Sequence, residues 1–322
     1  MKKRNEILLV LAALIWGIAF VAQSVGGDVV GPYTFNFTRS ILGGLALIPA
    51  IKFLDKLNLG KAPADKASKK NLLTGGIACG VILCLASNLQ QLGINSGTNA
   101  GKAGFLTACY IIMVPIFGMF LKRKCGLNVW IGVVLTVIGL YLLCIKGDFS
   151  IQLSDCLVML CAVVFSFHIL VIDHFSPLVD GVRMSCIQFL VSGTLSAIPM
   201  LIFEVKPFSG GFASWVSSLQ SGTAWISILY AGLLSCAIAY TLQIVGQQNV
   251  DPTVASLLMS LESVFSVLAE LIILRSAMPL RSLIGCGLIF IAVILSQINF
   301  QSIKKGRSLC HSNRKHCSNR RS

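Results

Sequence analysis

The sequence predicts an all-α integral membrane protein, with ten transmembrane helices in two inverted five-helix repeats and both termini in the cytoplasm. Three observations predict this fold class. The 322-residue chain is 55% hydrophobic and 12% charged, with a mean hydropathy of +0.83, whereas soluble domains carry about 25% charged residues. Apolar stretches of bilayer length recur along the chain, and Lys and Arg are concentrated on one side of them.

The apolar stretches define the helices. About 20 apolar residues of helix cross the hydrocarbon core of a bilayer, and the backbone there must be helical because lipid offers it no hydrogen-bond partners. We predict spans near residues 7–25, 33–54, 71–93, 102–121, 128–145, 154–173, 182–203, 222–245, 252–274 and 280–299. The short loops between them leave no room for a soluble domain.

The distribution of basic residues predicts the orientation. With the N-terminus in the cytoplasm, 20 of the 26 Lys and Arg residues fall on the cytoplasmic side and 5 on the other, while Arg39 lies within a span. Cytoplasmic loops of membrane proteins carry this excess. Membrane topology therefore accounts for the net charge of +14, and we predict a multi-pass protein of the plasma (cell inner) membrane with lipid contacts and no nucleic-acid partner.

Both ends of the chain carry basic residues. The apolar run from Ile7 to Val25 is longer than the core of a signal peptide, which predicts an uncleaved first helix. Residues 300–322 are predicted to form a basic, disordered cytoplasmic tail that contacts anionic lipid. The Cys310-His311 and His316-Cys317 pairs of this tail match no zinc signature, so no metal or cofactor is predicted. Most of the twelve cysteines lie within spans, and we expect no structural disulfide.

The two halves of the chain repeat one another. Trp16 falls in the first span where Phe165 falls in the sixth, and Gln90 in the third span matches Gln243 in the eighth at an offset of 153 residues. Because each half has an odd number of spans, the second half enters the membrane from the opposite face. Secondary transporters commonly use such inverted repeats. The predicted repeats cover residues 5–147 and 152–299.

Several motifs resemble one transporter family. The motifs are Gly101-Lys102-Ala103-Gly104-Phe105-Leu106-Thr107-Ala108 followed by Val114-Pro115, Ala239-Tyr240-Thr241-Leu242-Gln243, and Ala255-Ser256-Leu257-Leu258-Met259-Ser260-Leu261-Glu262. They resemble the EamA family of the drug/metabolite transporter superfamily, over about residues 5–299. The resemblance implies ten helices in two EamA units that move small metabolites, and it does not imply one substrate.

The sequence departs from that family in the ninth span. Ser263 stands where the family usually has proline, and Arg275-Ser276 stand where the family often has Gly-Glu. Proline bends a helix, so the departure predicts a straighter ninth helix in this chain. A role tied to the terminal glutamate of the family does not carry over.

Glu262 is the strongest candidate site residue. It lies about 15 Å along the helix from Pro252, close to the middle of the bilayer, where an ionised side chain costs roughly 2.5–3.5 kcal/mol. Ser266 and Glu270 follow at four-residue steps and share its face. Glu262 is predicted to bind a proton or a cationic substrate group, and the alternative is a structural carboxyl hydrogen-bonded between helices.

Other polar residues within spans are weaker candidates. Arg39 either clamps a substrate carboxylate, pairs with a glutamate, or snorkels outward as a structural residue. His168 either relays protons or packs as a hydrogen-bonded histidine. The remaining candidates line a solute-facing wall or join helices by polar contacts; they are Gln90, Gln243, Tyr240, Trp16 and Tyr110, with Gln23, Gln188, Asn88 and Gln91 beside them.

These observations predict a secondary active transporter of a small metabolite that works by alternating access. The mixture of amides, hydroxyls, one arginine and carboxylates suits an amino acid or a similar zwitterion slightly better than a lipid. The chain lacks the phosphate-binding and metalloprotease motifs and the nucleophile elbow, so no enzyme is predicted. The alternative is a membrane scaffold or sensor that keeps a transporter fold without flux. A homodimer is compatible with the sequence, which does not decide it.

Overall fold

The computed structural model describes residues 2–58, 60–98, 100–123, 126–144, 152–206, 211–274 and 280–297. Within these ranges every regular element is a helix. The helices at the predicted spans are α1 (Lys2–Val30), α2 (Pro32–Lys56), α3 (Lys66–Asn95), α4 (Ala100–Ala108 and Tyr110–Phe120), α5 (Leu127–Cys144), α6 (Leu153–Phe175), α7 (Gly181–Pro199, continued as a π-helix over Met200–Val205), α8 (Gly222–Leu229, a π-helix over Tyr230–Ala239, and Tyr240–Gly246), α9 (Pro252–Met259 and Leu261–Leu274) and α10 (Leu280–Gln297). A short helix, Phe212–Ser218, precedes α8.

Length and hydropathy support membrane crossing for most of these helices. Eight of the described helices are long and apolar enough to span a bilayer, and the two others contain shorter apolar stretches, Leu127–Leu142 in α5 and Leu280–Leu295 in α10. The all-helical class is therefore confirmed, while ten crossings and the location of the termini stay predictions. The tail and its Cys and His pairs lie outside the described residues.

Helix starts follow from local sequence. Pro32 occupies the first position of α2 after Gly31, whose φ of +89° suits a residue without Cβ. The side chain of Asp65 accepts a hydrogen bond from the backbone N–H of Ser68, which completes a capping box at the start of α3. Hydrogen bonds from the Ser68 side chain and backbone lower the pKa of this exposed carboxyl.

The packing of the helices repeats between the two halves of the chain. α2 packs on α7 and α5 on α10, which are equivalent helices of the two halves. α1 packs on α8 and α9, and their counterparts do the same, since α6 packs on α3 and α4. Exchanging the halves therefore reproduces the pattern of neighbours, as a two-fold relation between them requires.

Equivalent carboxylates join the ends of α2 and α7. Asp55 at the end of α2 accepts hydrogen bonds of 2.6 and 2.7 Å from Nη2 of Arg183 near the start of α7. Glu204 at the end of α7 accepts bonds of 2.8 and 2.6 Å from the backbone N–H groups of Tyr33 and Thr34 at the start of α2. Asp55 and Glu204 are 149 residues apart, as are Thr34 and Arg183. We call these two contacts the α2–α7 clasps.

Two helices are interrupted near their middle. α4 is broken at Cys109, six residues before Pro115, and α9 is broken at Ser260. The interruption of α9 occurs although Ser263 replaces the proline of the family, and a ninth helix straighter than that of the family stays a prediction. At the break, the hydroxyl of Ser260 donates to the carbonyl oxygen of Leu257 at 2.7 Å, and such back-bonding by serine bends helices.

Candidate functional site

The interrupted helices border a central cavity between the two halves. α1 to α4 line it from the first half, and α6, α8 and α9 line it from the second. The lining residues are Trp16, Phe20, Gln23, Arg39, Gln90, Thr107, Tyr110, Phe165, His168, Ile169, Ser235, Tyr240, Gln243, Met259 and Glu262. The space open to water-sized solutes is about 50 Å³. This is smaller than the roughly 300–1,000 Å³ typical of ligand pockets.

The structure places eight of the nine predicted site residues on this one cavity. Glu262, Arg39, Gln90, Gln243, Tyr240, His168, Trp16 and Tyr110 all line it. Ser266 is buried but is not among the lining residues. Its backbone packs against Gly17 of α1, where an added Cβ would lie 2.8 Å from the nitrogen of Ser266. The side chain of Glu270 lies outside the described residues.

Glu262 is buried, with 5% of its surface exposed. Tyr110 of α4 donates a hydrogen bond from its hydroxyl to Oε1 of Glu262 at 3.1 Å. Tyr110 directly follows the break at Cys109, and Glu262 is the second residue after the break at Ser260. The breaks therefore bring two equivalent helices of the two halves together through their side chains.

Arg39 does not form the ion pair with Glu262 that was one of its predicted alternatives. Among the described residues the salt bridges join other partners. Arg39 is 6% exposed and its guanidinium lies over the ring of Phe35, 5.4 Å from the ring centroid. The cavity therefore presents a carboxylate and a guanidinium that are not paired with each other.

The repeat-equivalent glutamines both face the cavity. Gln90 donates from Nε2 to the hydroxyl of Thr107 at 3.0 Å, so its position is fixed within the first half. Gln243 has a buried Oε1 without a partner. The two amides come from equivalent helices, α3 and α8, as the repeat predicted.

Aromatic rings form one wall of the cavity. Trp16 and Tyr240 meet edge to face, with ring centroids 4.7 Å apart, and His168 lies 5.9 Å from Tyr240 in a similar arrangement. Nε2 of His168 and Oε1 of Gln188 are 3.2 Å apart, a hydrogen bond if that nitrogen carries the proton. Gln188 thus reaches the site only through His168.

Several polar atoms of the cavity have no hydrogen-bond partner in the part of the chain that the structure describes. Two are donors, Nε1 of Trp16 and Nε of Arg39, and two are acceptors, Oε1 of Gln23 and Oε1 of Gln243. Buried polar groups normally form hydrogen bonds, because leaving one unpaired costs about 1–3 kcal/mol. These four atoms are therefore suited to a polar solute that can both accept and donate.

Other polar residues predicted beside the site belong to helix contacts. Asn88 accepts from Asn36 and donates to Ser196 at 3.0 Å, which joins α3 to α2 and α7. Gln91 donates to the backbone carbonyl of Gln23 at 2.8 Å and so joins α3 to α1. These two side chains serve as polar contacts between helices.

Sequence reasoning missed Thr107 and Ser235 as lining residues. Thr107 precedes Tyr110 by three residues, a helical spacing that could have indicated a shared face. Ser235 precedes Tyr240 by five residues and would not share its face in an α-helix. The π-helical segment of α8 brings them together, since the N–H of Tyr240 donates to the carbonyl oxygen of Ser235.

The chain is similar to known transporters along most of its length. The model of the EamA-like transporter family matches residues 3–145 and again residues 152–297. An uncharacterized transporter of Archaeoglobus fulgidus is 27% identical over 89% of this chain and 83% of its own length. The uncharacterized transporter YoaV of Bacillus subtilis is 23% identical over 92% of this chain and 97% of its own length.

One solved crystal structure shows the same fold. It superposes with a TM-score of 0.73 and covers 92% of this chain and 97% of its own, at 18% sequence identity. The family match covers the chain twice, once in each half. Together with the apolar helices, these findings identify a multi-pass membrane protein that belongs to the EamA-like transporter family.

Proposed function

We propose that this protein is a secondary active transporter that binds a small polar metabolite in the central cavity. The observation that carries the proposal is the composition of that cavity. Both halves contribute to one buried space that contains a carboxylate and a guanidinium without ion-pair partners among the described residues. It also contains three further polar atoms that find no hydrogen-bond partner there. Substrate sites of inverted-repeat transporters lie at this interface, between interrupted helices.

The charges of the cavity suit a zwitterion, with an amino acid or a related compound as the proposed substrate. The amine of such a substrate would bind Glu262, and its carboxylate would bind the planar fork of Arg39, which matches carboxylate geometry. The rings of Trp16, Tyr240 and Phe165 would contact an apolar substituent, since aromatic faces provide large contact surfaces.

Alternating access would widen the cavity toward one face at a time. A volume of about 50 Å³ is too small for a metabolite, so its binding would require the two halves to move apart. The α2–α7 clasps lie at opposite ends of the same helix pair. Opening toward either face would therefore separate one clasp while the other persists.

Glu262 is also the proposed coupling residue. It has no ion-pair partner among the described residues, and an ionised carboxyl is costly within a membrane. A proton or the amine of the substrate would neutralise it. Exchange between these two partners would couple proton movement to substrate movement.

The proposed orientation places both termini in the cytoplasm of a cell whose plasma membrane holds the protein. The support is the 20-to-5 distribution of Lys and Arg between the two sides. In the proposed topology, ten crossings arrange the halves as inverted repeats. Reporter fusions after α2, α3 and the last residue test it, and active cytoplasmic reporters are expected after α2 and the last residue only.

A scaffold or sensor without flux is the second candidate function. The polar cavity favours transport over a scaffold, which has no need of unpaired polar groups there, whereas a sensor would also use them to bind its ligand. Counterflow in proteoliposomes separates the two functions. Proteoliposomes loaded with an unlabelled amino-acid mixture should accumulate the labelled substrate, and liposomes without protein should not. Binding of an amino acid without any counterflow would favour the scaffold or sensor.

A further inference from the structure

A second cavity lies on the outer surface of the helix bundle, between the ends of α4 and α6. It encloses about 650 Å³, within the roughly 300–1,000 Å³ typical of ligand sites. Phe117 and Phe167 stack with centroids 4.5 Å apart and, with Leu170, form its apolar lining. We call this cavity the α4–α6 groove.

The groove is open to the surroundings of the protein. Phe120, at the last position of α4, lines the groove and is 81% exposed, and Phe167 on α6 is 44% exposed. In a membrane protein these surfaces face acyl chains. A long apolar molecule can therefore enter the groove from the side, without passing through the central cavity.

The end of the groove is basic. Arg123, just beyond the end of α4, and His174, in the last turn of α6, line it. The exposed Lys122 precedes Arg123. Asp173 forms an ion pair with Arg123, and Asp251 lies close enough to interact electrostatically with Asp173. Among the described residues neither carboxylate lines the groove, and the side chain of Arg123 is still 36% exposed.

We propose that the α4–α6 groove binds an anionic phospholipid of the leaflet on the side where α4 and α6 end. One acyl chain would lie along Phe117, Phe167 and Leu170, and the phosphate would lie against Lys122, Arg123 and His174. The ends of α4 and α6 would lie at the membrane–water boundary, which is the level of the lipid headgroups. Basic residues at such a boundary attract anionic lipid.

The site differs from the predicted lipid contacts of the tail, because it combines a shaped apolar groove with a fixed set of charges. It also borders the transport site. α4 and α6 contribute Tyr110 and His168 to the central cavity and Phe117 and Phe167 to the groove. A bound lipid would therefore rest against two helices that also line the central cavity.

Native mass spectrometry of the full-length protein tests the proposal. Phosphatidylglycerol and phosphatidylcholine with identical acyl chains are titrated separately, and inorganic phosphate is a third ligand. Wild-type protein should bind phosphatidylglycerol at least about fivefold more tightly than phosphatidylcholine. Equal affinities for the two lipids, or competition by inorganic phosphate as effective as by phosphatidylglycerol, would overturn the proposal.

Three variants locate the site. The double variant K122N/H174Q removes two exposed basic side chains and leaves the Arg123–Asp173 pair intact, so it should bind phosphatidylglycerol no better than phosphatidylcholine. Val171→Trp fills the groove and should weaken both lipids. Lys66→Gln changes an exposed lysine at the start of α3 and should bind as wild type does. If K122N/H174Q binds phosphatidylglycerol as tightly as Lys66→Gln does, the groove is not the site.

Discussion

The hydroxyl of Tyr110 donates a 3.1 Å hydrogen bond to Oε1 of Glu262, and this bond links the interrupted helices α4 and α9 across the two halves. Each residue follows the break in its own helix. A backbone break in a membrane helix is tolerated where the freed groups line a cavity or are buried in protein. The contact therefore marks the place where the repeat, the helix breaks and the cavity coincide.

Tyr110→Phe should slow transport and lower thermal stability. The substitution keeps the ring and leaves one buried carboxylate oxygen without its donor, which costs about 1–3 kcal/mol. We expect a lower melting temperature in detergent and counterflow reduced by about tenfold, which corresponds to about 1.4 kcal/mol. Tyr141→Phe, on α5 and outside the cavity lining, is the matched control. Equal melting and equal flux in both variants would contradict the role of the bond.

Arg39→Lys should impair transport although the positive charge persists. Lysine is a point charge that cannot replace the planar fork toward a carboxylate. We expect the apparent KM for the substrate to rise by about tenfold or more, the result of losing about 1.4 kcal/mol of binding. The control is Arg281→Lys on α10, where the arginine also lies over an aromatic ring, 5.1 Å from the centroid of Tyr141. A KM unchanged in Arg39→Lys would exclude bidentate binding.

Gly17→Ala should destabilise the protein and displace Glu262. A Cβ at Gly17 would lie 2.6 Å from Cβ of Phe265 and 2.7 Å from the backbone oxygen of Glu262, and neither atom is the end of a flexible side chain. Overpacking of this kind costs about 1–3 kcal/mol. Gly287→Ala on α10 is the control, because its Cβ would meet no atom within 4 Å. Thermal melting of the two variants checks the prediction, and equal melting would show that α1 and α9 separate easily.

Transport should depend on pH through Glu262. If a proton competes with the substrate amine for this carboxyl, counterflow should vary between about pH 5.5 and pH 8, a range in which histidines and carboxyls buried away from water titrate. The rate of Glu262→Gln should be low and independent of pH. His168→Gln tests the contribution of the cavity histidine separately from that of Glu262. The pH profile of this variant should follow that of wild type. A flat wild-type profile would remove the proton from the mechanism.

The positions of the long helices and about half of the residues that line the cavity could be predicted from the sequence. Particular residues show why. Apolar length predicted the positions of the ten long helices, because burial in lipid acts on every residue of a span, but it did not predict the short helix Phe212–Ser218. The repeat placed Gln90 and Gln243 at equivalent positions, and both line the cavity. Trp16 and Phe165 likewise correspond, since equivalent helices present the same face to the shared interface.

The remaining features depend on tertiary packing that hydropathy does not encode. The π-helical turn that brings Ser235 beside Tyr240 has no periodic signal. The break at Ser260 occurs without a proline from which it could have been predicted. Arg39 lies over Phe35 and not beside Glu262, because the rotation of α2 is set by its contacts with α7 and α8.

A ligand screen by thermal shift tests the central claim most directly. Purified wild-type protein is compared with Glu262→Gln and with Asp28→Asn, a control at an exposed carboxylate hydrogen-bonded to Asn95 at 2.9 Å. The ligands are amino acids, their methyl esters, which lack the anion, and their N-acetyl derivatives, which lack the cation. We expect an intact amino acid to stabilise wild type and Asp28→Asn but not Glu262→Gln. The methyl ester and the N-acetyl derivative should each stabilise wild type less than the intact amino acid does. A ligand that stabilises Glu262→Gln as much as wild type would contradict a site centred on this carboxylate.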